Sequence, residues 1–458
     1  MNFQCEIAND PIKVFIVNPL IPTSQLILLK ILSGEIFGDN TPIDLTLMVY
    51  SNENSVAETL KVELEKCAFS NTNSVKISTD LPGPKDADIF CVMSDFENPN
   101  YFDYENMENE TQFDTLYLLI KLANHLEWTE GDLSKEGYNA KALPIFVTDG
   151  LLALDILACL SKKLPKNIFF CPSPLEAISK FVLGDYLNVQ CSAINDVRVW
   201  AANDKVFYIE IEKPLVICDR IDHESHCVSD TISNELLQSL KLDYTQLNTS
   251  WLRKEFLEKV ASSAARNPYG CIYKAAEFAK SLKQIWKART GGSGVKVYSN
   301  MGVISDGSIG TIEGCPYMLP IVLQGNTWKV NKCFEESAHL KLEIKRITNI
   351  VKEQHQKFIP YCKKFLEENV INLAFVPVSN LSGTTDDSSS SPSLLRKSVR
   401  FLLLKYSSVL EVESIRTSHR HKHILSTTGA LCSDLLPPDH FRKSCVLLPP
   451  SGEYRPAV

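Results

Sequence analysis

The chain has 458 residues, of which 44% are hydrophobic and 22% are charged, and its formal net charge is −8. This length predicts roughly two to three domains, and the composition is ordinary for a globular protein with a sizeable core. The acidic balance argues against general binding to nucleic acid or to anionic membranes.

Targeting and membrane signals are weak in this sequence. The most apolar run, "LLALDILACL" at 151–160, contains Asp155 and is shorter than the ~18 residues that a membrane span needs. The N-terminus carries two acids before its first lysine and has no apolar core, so we expect no secretory signal. The 14 cysteines are scattered without a Cys-x-x-Cys pair, which is typical of reduced thiols in a cytoplasmic protein.

Strands and helices alternate along the first third of the chain. The predicted strands lie at 11–17, 42–50, 75–79, 87–93 and 142–149, and the predicted helices at 23–33, 55–69 and 115–126. Because the strands are almost continuously apolar, they favour a parallel sheet that is covered on both faces. The predicted fold class is therefore α/β, with a doubly wound parallel sheet.

The remainder of the chain mixes both kinds of element before it turns polar. We predict a helix at 151–163, strands within 197–211, a long helix near 250–288, a hairpin at 296–310 with Asp306-Gly307 in its tight turn, and a helix at 336–367. Beyond about 372 the chain includes "SNLSGTTDDSSSSPS" (379–393), and we expect this tail to be disordered or loosely attached.

Several segments resemble the cytosolic malate dehydrogenases, in the same order along the chain. The matching segments are "PIKVFIV" (11–17) with the helix and strand after it, "SWLRKEF" (250–256), "AKSLKQIW" (279–286), "SNMGVISDGSIG" (299–310) and "PIVLQGNTWKV" (320–330). The likeness covers about 11–368, and the diverged branch named malate dehydrogenase 1B is the expected nearest group.

This resemblance implies three parts and an activity. The expected parts are a Rossmann-like dinucleotide-binding domain at 1–150, an α+β substrate domain of the lactate and malate dehydrogenase type at 151–371, and, from its composition and outside the resemblance, the polar tail at 372–458. The implied activity is the NAD-dependent interconversion of malate and oxaloacetate by a cytoplasmic homodimer without a metal.

The cofactor positions that the resemblance implies are substituted. Asn18, Ile21 and Ser24 stand where the family has glycines, and Val49 stands where it has the acid that bonds the adenine ribose. Prolines at 19 and 22 also remove backbone donors beside the expected pyrophosphate. Glu53 could replace the missing acid, although a solvated loop acid is the more common use of such a residue.

The substrate and proton-transfer positions are substituted as well. The family holds its dicarboxylate with arginines, yet the loop at 94–111 has six acids and no basic residue, and the first arginine of the chain is Arg198. The resemblance assigns Pro174 to an arginine position, Asp149 to the position of a substrate-orienting Asn, Asn203 to the catalytic His and Glu176 to its Asp partner. An amide cannot accept a proton near neutral pH.

Two classes of function follow. The chain is either a degenerate pseudoenzyme that serves as a scaffold or as a partner-binding module, or an active NAD-dependent malate dehydrogenase. The sequence favours the first class because cofactor, substrate and proton-transfer positions are all substituted.

Two histidine clusters are candidate metal sites. They are "SHRHKH" (418–423), with His419, His421 and His423, and "DHESHC" (222–227), with His223, His226 and Cys227. The first is typical of a flexible basic segment and the second lacks another ligand pair, so the sequence predicts no metal site.

Overall fold

The computed structural model of the chain describes residues 10–104, 110–127, 143–187, 190–194, 197–210, 254–266, 270–292, 294–332 and 338–371. All of them lie in one compact unit that ends at Ser382. The predicted polar tail and both histidine clusters fall outside these ranges. The predicted domain boundary at 150 remains a prediction.

Eleven strands are present in the described residues. They are β1 (Ile12–Val17), β2 (Ile43–Met48), β3 (Thr72–Ser78), β4 (Ile89–Val92), β5 (Ile145–Thr148), β6 (Phe169–Pro172), β7 (Arg198–Ala201), β8 (Phe207–Glu210), β9 (Val297–Ile304), β10 (Pro316–Gln324) and β11 (Thr327–Val330).

Eight α-helices are described with them. They are α1 (Pro22–Leu32), α2 (Asn54–Lys66), α3 (Glu110–His125), α4 (Leu151–Leu160), α5 (Pro174–Leu187), α6 (Leu257–Arg266), α7 (Cys271–Thr290) and α8 (Ala338–Phe365), which a π-helical turn follows at Leu366–Ile371.

The strands form one sheet in the order β3-β2-β1-β4-β5-β6-β9-β10-β7-β8, and β11 pairs with β10. The pairs among β1 to β6 are parallel, whereas β9 pairs antiparallel with β6. The order 3-2-1-4-5-6 is that of a Rossmann-type sheet. The predicted α/β fold class is confirmed, and β9 and β10 join the later strands to the same sheet.

Both faces of the parallel sheet are buried, as the apolar strands predicted. In β1, Val14 and Ile16 belong to a core shared with α1 and α7. Phe15 and Val17 point to the opposite face and belong to a core shared with α3 and α4. Successive side chains of a strand point to opposite faces, so a strand with both faces covered is apolar at almost every position.

Two predicted elements differ from the structure. The single helix near 250–288 is divided into α6, which ends at Arg266, and α7, which begins at Cys271. The sequence between them contains Pro268 and Gly270, which disfavour a continuous helix. The hairpin is also longer than predicted, because β9 is followed by a connection of residues 305–315 before β10.

The conformation at Gly307 matches the turn prediction, although the turn is only part of a longer loop. Gly307 has a φ of 80°, and the N–H of Ser308 donates to Oδ1 of Asp306 at 3.0 Å. The Ser305 N–H donates to the Cys315 carbonyl at 2.8 Å, which closes the loop at its base.

Tryptophans contribute to the described core. Trp200 and Trp328 are buried, and Trp286 packs edge-on against Phe37 with ring centroids 5.2 Å apart. Trp251 lies outside the described residues. Within the described ranges no helix is long and apolar enough to cross a membrane, and the cysteines there form no disulfide.

Gly302 lies where β9 and β6 approach most closely, and this contact yields a stability prediction. A Cβ atom at Gly302 would lie 2.1 Å from Sγ of Cys171 and 3.0 Å from Cδ2 of Leu151. We expect Gly302→Ala to lower the free energy of unfolding by about 1–3 kcal/mol through overpacking, as measured by urea denaturation.

Gly294→Ala is the matched control, because a Cβ there meets nothing within 4 Å; we expect it to change stability by less than about 0.5 kcal/mol. Adding Cys171→Ala to Gly302→Ala should recover part of the loss, since the two residues touch. Equal stabilities for Gly302→Ala and Gly294→Ala would contradict this account of the contact.

Candidate functional site

The candidate site lies at the carboxyl ends of β1, β4 and β5. The strand order reverses between β1 and β4, and ligands of open α/β sheets bind in the crevice that such a reversal creates. Asn18 follows β1, Ser94 comes after β4, and Asp149 follows β5. The fold thus brings three polar residues to one edge of the sheet. Asn18 and Asp149 were predicted as site positions from the sequence, and Ser94 is their neighbour.

The turn after β1 keeps a glycine-like backbone without a glycine. Asn18 has a φ of 57°, a left-handed conformation that Asn tolerates better than most residues. Its side-chain Nδ2 donates to the Met93 carbonyl at 2.7 Å. This bond ties the end of β1 to the end of β4 and places a side chain where a glycine would leave open space.

The start of α1 fits a dinucleotide pyrophosphate poorly. Ile21 is the N-cap, has no side-chain capping bond, and is followed by Pro22 at the first helical position. The Ile21 side chain packs against the core of α1 and α7, and Pro22 has no N–H to donate. The fully buried Oγ of Ser24 finds no hydrogen-bond partner among the described residues. A phosphate at this turn would therefore lack the backbone donor that Pro22 removes.

The end of β2 offers no free acid for a ribose. Val49 is buried and its N–H donates to the Ser78 carbonyl at 3.0 Å. The carboxylate of Glu53 accepts from the Tyr50 N–H at 3.1 Å in a capping box. Bonding a ribose through Glu53 would thus compete with the cap that the Glu53 side chain provides for its own turn.

Asp149 is a buried acid at the centre of this edge. Both of its carboxylate oxygens lie 2.8 Å from the Ser94 hydroxyl, which donates to them. Burial raises the pKa of Asp149 to about 6, while the positive charge of Lys274 and the bond from Ser94 oppose the rise. Asp149 thus remains a poor anchor for a second carboxylate, because two like charges would share a dry site.

The acidic loop after β4 is folded down onto the N-terminus of α4. The N–H of Leu151 donates to Oδ1 of Asn100 at 3.1 Å, and that of Leu152 donates to the Pro99 carbonyl at 3.0 Å. Any Cβ at Gly150 would lie 2.5 Å from Pro99. These N–H groups are the free donors of a helix start, so here the chain itself binds them.

A second set of contacts fastens the same loop to the turn between β7 and β8. Asn98 Nδ2 donates to Oδ2 of Asp204 at 3.3 Å, and Nζ of Lys205 lies 4.0 Å from the centre of the Tyr101 ring. A cation over an aromatic face contributes roughly 0.5–2 kcal/mol, depending on exposure. The described part of the loop, 94–104, therefore lies against the start of α4 and against the turn between β7 and β8.

Asn203, at the expected catalytic His position, has a structural bonding pattern. Its Oδ1 accepts the N–H groups of Lys205 and Val206, each at 2.8 Å, and so closes the β7–β8 turn. The residue is fully buried, and its Nδ2 has no partner among the described residues.

Glu176, at the expected Asp position, belongs to a different network. Its carboxylate lies 2.8 Å from Nζ of Lys180 and 3.1 Å from Nζ of Lys280, and it accepts from Nδ2 of Asn300 at 2.9 Å. Burial alone would raise the pKa of Glu176, but the two lysines and Asn300 outweigh it and lower the pKa below its ordinary value.

Asn300 is the partner that the sequence analysis missed. Its Nδ2 also donates to the Val197 carbonyl, and its Oδ1 accepts from the Val199 N–H, both at 2.8 Å. It therefore joins α5, β7 and β9. The available signal was the pair of polar residues, Ser299 and Asn300, inside the β9 strand.

Pro174 begins α5 and supplies no charge to the site. Its carbonyl accepts a bond from the Tyr273 hydroxyl. The structure thus gathers Asn18 and Asp149 at one edge, while Asn203 and Glu176 have separate partners within the described residues.

The buried Asp149 yields a pH-dependent prediction. The pKa of Asp149 is raised in the folded state to about 6 from an ordinary 3.8, so folding stability is highest below about pH 4 for this group and falls as pH rises to about 6. The Asp149→Asn substitution removes this pH-dependent loss of stability, and its amide oxygen can still accept the hydrogen bond from Ser94. We expect a gain of about 1–3 kcal/mol at pH 7.5 and a smaller gain at pH 5, measured by urea denaturation.

Asp95→Asn is the control, because Asp95 is an exposed acid of the same loop. It should change stability little at either pH. A gain for Asp149→Asn that is absent, or equal at both pH values, would contradict the assignment of a buried, proton-binding carboxylate.

Comparison with known proteins gives a consistent relationship. A scan against models of protein families finds no match. The human protein named "Putative malate dehydrogenase 1B" is 22% identical over 327 residues, which are 70% of this chain and 58% of that protein. The chain thus spans less than two thirds of that relative. Cytoplasmic malate dehydrogenase of Rattus norvegicus is 24% identical over 334 residues, covering 70% of this chain and 89% of the rat protein.

Solved malate and lactate dehydrogenase structures have a similar fold. Malate dehydrogenase from Naegleria fowleri superposes with a TM-score of 0.57 at 14% identity, covering 77% of this chain and 99% of that one. Lactate dehydrogenase from Trichomonas vaginalis, solved with NADH and oxamate, gives 0.55 at 14% identity over the same shares. The chain is thus similar in sequence to malate dehydrogenases, and it has the fold of the lactate and malate dehydrogenases.

Proposed function

We propose that this chain is a malate dehydrogenase-like pseudoenzyme, which acts by binding a protein partner rather than by interconverting malate and oxaloacetate. The observation that carries the proposal is the bonding of Asn203. This residue stands at the position that the resemblance gives to the catalytic His, and its oxygen is used by two N–H groups of its own turn.

Proton transfer lacks a donor and an acceptor at these positions. The amide of Asn203 does not titrate near neutral pH, and loss of a general acid or base typically slows a reaction by ~10²–10⁴. Glu176 is held ionised by Lys180 and Lys280. A carboxylate with a lowered pKa that is surrounded by its own cations is a poor acid for the reverse reaction.

The described positions that the resemblance gives to substrate binding include no arginine. Pro174 cannot pair with a carboxylate, and the described part of the acidic loop exposes Asp95 and Glu97. Asp149 adds a carboxylate inside the site. Each close pair of like charges costs about 1 kcal/mol at high dielectric and more when water is excluded, so a dicarboxylate is disfavoured here.

Cofactor binding is weakened at the same edge. The relatives are dehydrogenases, and NAD is the cofactor that the resemblance implies. The turn of Asn18, Ile21 and Pro22 supports weak binding, since it presents a side chain and a proline where backbone donors are needed.

The deciding experiment is a fluorescence titration of the purified full-length chain with NADH, with and without oxaloacetate, followed by a turnover assay. We expect a dissociation constant weaker than ~10 μM, or about −7 kcal/mol, and no measurable turnover. Asn203→His alone should not create activity, because the substrate would still have no arginine to hold it.

A cytoplasmic malate dehydrogenase measured in parallel supplies the positive control. Tight NADH binding together with a turnover above ~1 s⁻¹ that Glu176→Ala abolishes would overturn the pseudoenzyme proposal. It would favour the second candidate, an active NAD-dependent malate dehydrogenase, for which the similarity over 70% of the chain is the supporting observation.

We also propose that the chain forms a homodimer in the cytoplasm. The family resemblance and the similarity to relatives named cytoplasmic support both points. Light scattering at micromolar concentration should give twice the chain mass of 51.4 kDa. A single species at the chain mass would contradict the dimer without affecting the proposal on catalysis.

A further inference from the structure

A mixed group of donor atoms lies between α4 and α8, beside a pocket that Asn100 and Asn203 also line. Asp155 and Cys159 are one helical turn apart on α4, and His355 lies opposite them on α8. The oxygen, sulfur and nitrogen atoms of the three side chains all lie within 4.8 Å of one another. Asp155 belongs to the run "LLALDILACL", whose apolar character concealed this group in the sequence analysis.

The distances are close to those of a metal site. Nδ1 of His355 lies 3.0 and 3.1 Å from the two oxygens of Asp155, and Sγ of Cys159 lies 3.3 Å from Oδ1. Around tetrahedral zinc, with bonds of 2.0–2.3 Å, neighbouring donor atoms lie roughly 3.3–3.6 Å apart. Small side-chain rotations would therefore admit the ion between them.

We propose that Asp155, Cys159 and His355 form a binding site for a transition-metal ion of the zinc class. One thiolate, one imidazole and one carboxylate are donors that zinc accepts, whereas magnesium and calcium prefer oxygen alone. On coordination the Cys159 thiol, and the imidazole where it is protonated, release their protons to the solvent as the metal bonds form.

The fourth coordination position would face a cavity. A pocket of about 290 Å³ borders Asp155 and His355, and Tyr101, Tyr104 and Phe358 also line it. The Tyr104 hydroxyl is buried and has no partner among the described residues. A buried, unpaired hydroxyl calls for a water or ligand partner, and a water on the metal would supply one.

The surrounding charges permit a cation. Asp155 is buried at 3% exposure, and an ion would offset its charge together with that of the thiolate. Cys315 and Cys362 interact electrostatically with Asp155, which adds sulfur donors to the neighbourhood. The half-buried Lys166 is a positive charge near the group, and burial lowers its pKa.

A simpler role for the same residues is an ion pair between His355 and Asp155 that fastens α8 to α4. That role does not need a sulfur atom. A metal site does need the sulfur atom, so substitution of Cys159 distinguishes the metal site from the ion pair.

The test uses the full-length chain after treatment with a chelator and dialysis. Zinc is titrated in competition with a chromophoric chelator, and cobalt(II) is added separately to look for a thiolate-to-metal charge-transfer band. We expect binding that weakens at least about tenfold in Cys159→Ser and in His355→Gln, and loss of the cobalt band in Cys159→Ser.

Cys271→Ser is the matched control, because Cys271 is a partly exposed cysteine like Cys159; it should leave zinc affinity and the cobalt band unchanged. Zinc should also protect Cys159 of the unaltered chain from alkylation, read by mass spectrometry, which needs no variant to fold. Binding equal in all variants would assign the ion to other residues, and no cobalt band or no protection would likewise overturn the proposal.

Discussion

A row of four buried phenylalanines holds the parallel strands β1, β4, β5 and β6 in register. Phe15, Phe90, Phe146 and Phe169 stand side by side on β1, β4, β5 and β6, with successive ring centroids 5.7, 4.6 and 5.1 Å apart. Each is paired in register with the next. Because a one-residue slip would turn every ring to the other face, this row fixes where each strand ends.

The fixed strand ends explain how the fold persists while the site changes. Asn18, Ser94 and Asp149 reach one edge because their strands are in register, whatever chemistry they carry. Core packing depends on apolar volume, whereas catalysis depends on a few polar atoms held in place. The polar residues at the edge, such as Asp149, therefore determine what the edge can bind, while the apolar strands hold the sheet.

The sequence predicted the sheet well and the site's bonding poorly, for physical reasons. The apolar strands and their alternation with helices depend on local pattern, and a resemblance placed Asn203 and Glu176 in their elements. The partners of these residues are distant in sequence: Asn300 is 124 residues from Glu176, and Asp204 is 106 residues from Asn98. Contacts between residues so far apart in sequence depend on how the helices and strands pack. The periodicity of apolar residues in a sequence does not show this packing.

The errors have the same origin. The long helix near 250–288 was predicted through Pro268 and Gly270 because the flanking amphipathic patterns look continuous. The prediction of a tight turn at Asp306-Gly307 was correct for the local backbone, since Gly307 is left-handed. It missed the longer loop, which Ser305 and Cys315 close at its base. The group of Asp155, Cys159 and His355 combines two helices 200 residues apart.

The turn at Asn18 bears on whether such divergence can be reversed in evolution. Its backbone already has the left-handed conformation that glycine adopts freely, so Asn18→Gly would add little strain to the turn. The substitution would remove only the hydrogen bond to Met93. Ile21 and Pro22 are different, because one packs in the core and the other sets the first helical residue. A lineage descending from this chain would regain the first glycine easily and the phosphate donors only by rebuilding the start of α1.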